Sequence, residues 1–197
     1  MKTRIFFAAL FLFMISGYAG RTQTTPPTAD AVLKEAYTQA TKEHKKVMVL
    51  FHASWCGWCK KMEASLNDPA IKKSFDDNYV IKWLVVLESK GKENLENPGA
   101  MDLLTKHNGA KSGIPFWLVY DANGTLLADS QMRPAGASLD TPGDNIGCPA
   151  SEKEVTAFTD ILKATSNIKE PQLAMIHARF LKNQPEPVKP APVKTSR

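Results

Sequence analysis

The chain has 197 residues, 43% hydrophobic and 23% charged, with three cysteines and a formal charge of +5. That balance is ordinary for a globular protein, enough for one domain with a buried core and too little for two comfortable ones. The basic residues are scattered and their excess is small, which argues against a nucleic-acid partner.

Lys2 and Arg4 precede the apolar run Ile5 to Ile15, followed by Ser16-Gly17-Tyr18-Ala19-Gly20. A basic start, a short apolar stretch and small residues at its end describe a secretory signal peptide over 1–19. Eleven consecutive apolar residues are short for a membrane-spanning helix; an uncleaved anchor is the alternative. Without Lys2 and Arg4 the chain has 23 basic and 20 acidic residues, a net +3. Export to the periplasm or the exterior is the expectation, and there disulfides persist. Residues 20–28 are polar with Pro26-Pro27, and read as a flexible lead-in to a domain over 29–182.

Asp30 is placed to cap a helix over Ala31 to Lys42, with Val32, Leu33, Ala36, Tyr37 and Ala40 on one face. Val47 to Phe51 is near-continuously apolar, the pattern of a strand buried on both faces. Trp55-Cys56-Gly57-Trp58-Cys59-Lys60 follows at a strand-to-helix junction. Two thiols in C-x-x-C spacing can close and reopen a small disulfide ring. Unpaired N–H groups and the dipole at a helix start favour the first sulfur as thiolate, with Cys56 the exposed thiol and Cys59 shielded one turn in. Thiol–disulfide exchange is the leading reading, with a purely structural disulfide and half a zinc site as alternatives. Zinc normally takes four ligands, and no second C-x-x-C or paired Cys/His motif accompanies this one. Neither a metal nor a cofactor is expected.

The helix from Cys56 runs to about Asn67, and Asp68-Pro69 starts another, with Asp68 as cap and Ile71 and Phe75 buried. Tyr79 to Leu87 is a second buried strand. A strand, helices and another buried strand form a crossover unit, so parallel pairing is expected. After the polar loop Glu88 to Asn97, Pro98 opens a helix ending at His107, before Asn108-Gly109. Phe116 to Tyr120 and Thr125 to Ala128 flank Asp121-Ala122-Asn123-Gly124, a hairpin signal. Ser130 to Ala150 is a long Gly- and Pro-rich excursion. Ser151-Glu152-Lys153-Glu154 is a capping box before a helix with Val155, Phe158, Ile161 and Leu162 inward, and Pro171 to Lys182 reads as a further helix. Residues 183–197, with Pro185, Pro187, Pro190 and Pro192, form a Pro-rich tail too poor in apolar residues to fold.

A buried strand, W-C-x-x-C-K on a helix, a second strand, then Gly113-Ile114-Pro115-Phe116 opening a hairpin: over about Thr28 to Ser166 this resembles the thioredoxin superfamily, and within it the exported bacterial thioredoxin-like proteins. The resemblance implies an α/β thioredoxin-like fold, a central mixed sheet flanked by helices, here with extra N- and C-terminal helices. It implies a cis proline at Pro115 facing the redox pair, the bond type for which cis is accessible. It also implies protein disulfide oxidoreductase activity: Cys56 and Cys59 catalytic, Trp55, Trp58, Ile114 and Pro115 binding substrate. In thioredoxins a buried acid stands six residues before the first cysteine, as proton acceptor for the second. Leu50 stands there in this chain. Gly57-Trp58 also replaces the Gly-Pro of thioredoxins and the Gly-His of protein disulfide isomerases.

His52, four residues before Cys56, is placed either to lower a thiol pKa or to pack under Trp55. Glu63 either approaches Cys59 through water or is a solvated carboxylate; both are possible modulators. Cys148 is the odd cysteine, a third redox participant or a buried small residue. His44, His107 and His177 read as surface residues, Trp83 and Trp117 as core. Client proteins with disulfides and a membrane-bound electron donor are the implied partners. A polypeptide-binding folding or assembly module with little turnover is the rival function.

Overall fold

The computed structural model describes residues 25–185. The signal-peptide reading over 1–19 and nearly all of the Pro-rich tail lie outside the described residues. α1 spans Ala29–Glu43, β1 Lys46–His52, α2 Gly57–Leu66, α3 Lys72–Asn78 and β2 Tyr79–Val85. α4 follows at Ala100–Lys106, β3 at Phe116–Tyr120, β4 at Leu126–Asp129, β5 at Gln131–Met132 and β6 at Asp144–Asn145, with α5 at Glu152–Thr165 and α6 at Glu170–Leu181. The main sheet has the order β2-β1-β3-β4. β1 pairs parallel with β2, as a crossover requires, and antiparallel with β3, and β3–β4 is the expected hairpin. The sheet is mixed.

Alternation along β1 divides the core in two. Val47, Val49 and Phe51 join Phe116 and Leu118 of β3 under α1 and α4, against Leu33, Ala36 and Leu104. Met48 and Leu50 join Trp117 and Val119 on the other face, against Met62 of α2, Phe75 of α3, Phe158 of α5 and Phe180 of α6. Trp117 is thus core, as expected, and Trp83 packs partly buried against the same face. β1 is sandwiched between both layers, which is why its sequence shows no polar alternation.

Several element starts differ from the sequence expectation. α1 begins at Ala29 with Thr28 rather than Asp30 as cap, its hydroxyl accepting from Ala31 N–H at 3.2 Å. The lead-in is also tied down, because Asn97 Nδ2 donates to Pro27 O at 2.8 Å. Asp68-Pro69 makes a turn instead of a helix start: Asp68 Oδ1 accepts from Ala70 N, and α3 begins only at Lys72. α4 begins at Ala100, because Gly99 takes the left-handed φ of 81° at its cap. The capping box of Ser151 and Glu154 is formed as expected. His107 is a half-buried group hydrogen-bonded to Tyr120 Oη at 3.1 Å rather than a surface residue. At the C-terminal side, Asn183 is buried, one residue beyond the expected domain boundary of 182. Its amide donates to Ser65 Oγ and Pro149 O.

The excursion from Ser130 to Ala150 is knitted together by polar groups. Arg133 and Asp129 form a bidentate, buried ion pair, at 2.7 Å and 2.6 Å. Arg133 also donates to the carbonyls of Gln131, Leu139 and Thr141. Gln131 Nε2 reaches His107 O at 3.1 Å, and Gln131 Oε1 accepts from Gly143 N. This network and the small β5–β6 pairing bring residues 145–150 back toward the main sheet.

Candidate active site

β1 ends at His52, and the chain turns through Ala53, Ser54 and Trp55 into α2. Glu88 fixes this turn, its two carboxylate oxygens accepting from Ser54 N–H at 2.6 Å and Ser54 Oγ at 2.7 Å. Burial pushes the Glu88 carboxyl upward, but the bonds from Ser54, with those from Ser89 and the charge of Lys92, outweigh it and hold its pKa below the ordinary value. Trp55 Nε1 donates to Leu87 O at 2.7 Å. Leu87 sits at a left-handed φ of 55°, uncommon for a bulky residue, so β2 ends at Val85 and the expected strand end at Leu87 is instead a bend.

Cys56 is the N-cap of α2. Its sulfur accepts from Cys59 N–H at 3.0 Å, one of the donors that a helix start leaves without an intrahelical partner. Cys56 and Cys59 are joined as a disulfide. Both are buried, at 3% and 2% exposure, so the expected exposed Cys56 is corrected for this state: the pair packs with Ala53 against Ile114. Cys56 Sγ lies 3.5 Å from Ile114 O. A disulfide sulfur has no proton to donate; the contact becomes a hydrogen bond only in the dithiol form. The Ile114–Pro115 bond is cis, as the resemblance implied, and this loop leads directly into β3.

Trp55 and Trp58 are exposed, at 55% and 41%. Lys61 Nζ sits 4.4 Å above the centroid of the Trp58 ring and donates to Asn183 O at 3.2 Å. A groove of about 230 Å³ is lined by Trp58, Gly113, Ile114, Pro115, Gly147 and Cys148. So the structure brings Trp58, Ile114 and Pro115 around one concavity. Trp55 is held toward Leu87.

His52 packs against Trp83, ring centroids 5.0 Å apart, rather than under Trp55. Burial pushes its pKa down, against the smaller upward pull of Glu63 and Glu88. Glu63 is exposed on α2. Leu50 is fully buried beside Met62 and Trp117, so an apolar side chain fills the place of the thioredoxin acid. Cys148 is a buried free thiol, its pKa pushed up to about 12 by burial, with Lys61 and Arg179 opposing. Its sulfur accepts from Asn183 Nδ2 at 3.4 Å. The cysteine forms part of the groove wall, but as a protonated thiol.

Asn145, Glu88 and Asn183 were not apparent as site residues from sequence. Each acts over a separation of 30 residues or more, and no local pattern marks it. Among the described residues no group of three or more His, Cys, Asp or Glu side chains is placed to hold a metal ion. The half-zinc-site reading therefore has no further ligands within them.

Residues 28–122 match the family described as Thioredoxin-like. Among curated proteins it is 50% identical over 36 residues to protein disulfide-isomerase A5 of Mus musculus, covering 18% of this chain and 7% of that one. It is 30% identical over 101 residues to the thiol:disulfide interchange protein DsbD of Photorhabdus laumondii, covering 51% of this chain and 16% of that one. The chain thus spans only a small part of the length of these relatives. Among solved structures it is similar to the DsbD C-terminal domain of Neisseria meningitidis in its oxidised form, at 28% identity, 53% of this chain, 84% of that chain and a TM-score of 0.37. It is also similar to a disulphide isomerase from Xylella fastidiosa Temecula1, at 20% identity, 51% of this chain, 72% of that chain and a TM-score of 0.43.

Proposed function

We propose that this protein is an exported, periplasmic thiol–disulfide oxidoreductase that reduces or isomerises disulfides of client proteins. The observation carrying the reading is Cys56 Sγ as the cap of α2, accepting from Cys59 N–H beside Ile114 and cis-Pro115. In the dithiol state that N–H and the helix start favour a Cys56 thiolate. The thiolate attacks one sulfur of a client disulfide, and the other client sulfur leaves as thiolate and takes a proton. Cys59, losing its own proton, then attacks Cys56 Sγ and releases the second client sulfur as a thiolate, which takes a proton in turn. Two electrons and two protons have moved to the client, and the pair is left as the disulfide seen here. A membrane-bound donor of two electrons restores the dithiol. Trp58, Ile114 and Pro115 line the groove in which client peptide lies, and Trp55 adds an apolar surface beside it. His52 and Glu63 modulate the pair electrostatically.

A specific observation favours a second reading, a polypeptide-binding module with little turnover: Leu50, fully buried, cannot accept the Cys59 proton. Reduction of insulin with a dithiol donor separates the two. Turnover that Cys56→Ser abolishes is the expected result. Binding of unfolded polypeptide without turnover leaves the module.

A further inference from the structure

One side chain holds the Ser112–Pro115 loop from outside the main sheet. Asn145 Nδ2 lies 3.0 Å from Ser112 O, 3.2 Å from Gly113 O and 3.1 Å from Pro115 O. Two amide hydrogens thus serve three carbonyls, and Asn145 Oδ1 accepts from Gly147 N–H at 3.1 Å, which fixes which way the amide faces. Ile114 is the residue of this loop whose carbonyl is left out; it stands 3.5 Å from Cys56 Sγ.

Asn145 is itself rigidly mounted. It pairs with Gln131 across β5–β6, Ile146 N–H donates to Ser130 O at 2.6 Å, and Trp117 Nε1 donates to Gly147 O at 3.0 Å. Gly147 takes a left-handed φ of 61°, a conformation that glycine adopts without the strain a side chain would bring, and so carries the chain past Pro115. The excursion is therefore built up to the loop that faces the disulfide.

We propose that Asn145 is a positioning residue of this site: by drawing the carbonyls on either side of Ile114 outward, it keeps Ile114 turned to Cys56 and sets how an extended, disulfide-bearing peptide meets the sulfur. This rests on the oxidoreductase reading above. Asn145→Asp is nearly isosteric, cannot donate, and sets a carboxylate against three carbonyls. In that variant KM for a disulfide peptide rises about fivefold, the equivalent of one ordinary hydrogen bond. kcat changes by less than about twofold, because the cysteines themselves are untouched. The pH midpoint for alkylation of Cys56 is read in reduced Asn145→Gln, which adds no charge beside the thiol; it moves down, since the loosened loop withdraws the Ile114 carbonyl that accepts the thiol proton. Should Asn145→Asp not fold, Asn145→Gln, with its amide one methylene out of place, carries the same expectation for KM and kcat.

Unchanged KM and an unchanged alkylation midpoint in a folded variant overturn the proposal. Loss of kcat with KM and the midpoint unmoved overturns it too. If the wild-type protein turns over no substrate, the oxidoreductase reading fails by itself, while the alkylation midpoint still tests Asn145.

Discussion

At the scale of single residues the two cysteines differ by their place on α2 rather than by exposure. Cys56 caps the helix and accepts from Cys59 N–H, whereas Cys59 is one turn inside. Alkylation of the reduced protein at mildly acidic pH is therefore expected to label Cys56 first, and Cys59→Ser to accumulate mixed disulfides with client proteins; preferential labelling of Cys59 would reverse the assignment. Cys148 is different in kind. Its thiol stays protonated at neutral pH, with a pKa of about 12 produced by burial, and Asn183 donates to it. Cys148→Ala is expected to leave turnover and reduction potential unchanged. Peptide mapping of the oxidised protein without reductant, finding only the Cys56–Cys59 link, checks this. The C-x-x-C pair was legible in sequence because its chemistry is local, and the cis-proline because the resemblance to the thioredoxin superfamily implied it. Burial of Cys148, one of its two sequence readings, is what the structure shows, but its partner Asn183 was not legible, because it lies 35 residues along the chain.

At the scale of elements, β1 and β3 were legible because burial on both faces leaves an unbroken apolar run. The start of α1 was misread because Thr28 and Asp30 are both good caps, and the bond from Asn97 to Pro27 lies about seventy residues away. The excursion had no periodicity to read. Its order comes from Arg133 and Asp129, a buried pair whose value depends on both members. Arg133→Ala leaves Asp129 buried and uncompensated, and is expected to cost about 3 kcal/mol in a denaturation experiment. Because the same network leads to Asn145, KM for client peptide should rise as well. β1 offers a sharper test. Leu50→Asp places a carboxylate where thioredoxins carry one, and the rate of mixed-disulfide resolution by Cys59 is expected to rise if proton acceptance limits it. Burying that group beside Met62 and Trp117 costs roughly 2 kcal/mol or more in stability. Leu50→Asn carries a similar cost with no proton acceptor. Equal resolution rates in the two variants would show that a missing base is not the limit.

For the whole molecule, two titrations and one potential follow from the assembled fold. His52 and His107 both have pKa values lowered by burial, so each binds fewer protons folded than unfolded. The stability they contribute is complete above about pH 6.5 and is lost as pH falls toward their folded values. Glu35, Glu43, Asp68, Glu88 and Asp121, all lowered by hydrogen bonds or charge partners, lose theirs at lower pH, below about 4.5. Urea midpoints at pH 7.5 and 5.5 should therefore differ, and replacing both His52 and His107 with Gln should shrink the difference. The redox poise rests on what surrounds the pair. Gly57-Trp58 places no charge between the cysteines, and Lys61 is engaged with the Trp58 ring and Asn183 O, so the Cys56 thiolate draws its stabilisation chiefly from the start of α2. That is less than a strongly oxidising pair needs, because such pairs are oxidants through a stabilised reduced form. A reduction potential of roughly −270 to −180 mV is expected, the interval between thioredoxin and protein disulfide isomerase. A value within it accords with the proposed role as a reductase or isomerase and with the proposed membrane-bound donor. Equilibration against glutathione buffers measures the value directly. A result near −120 mV, at the strongly oxidising end of the range, would reverse the direction of electron flow and make the client the donor.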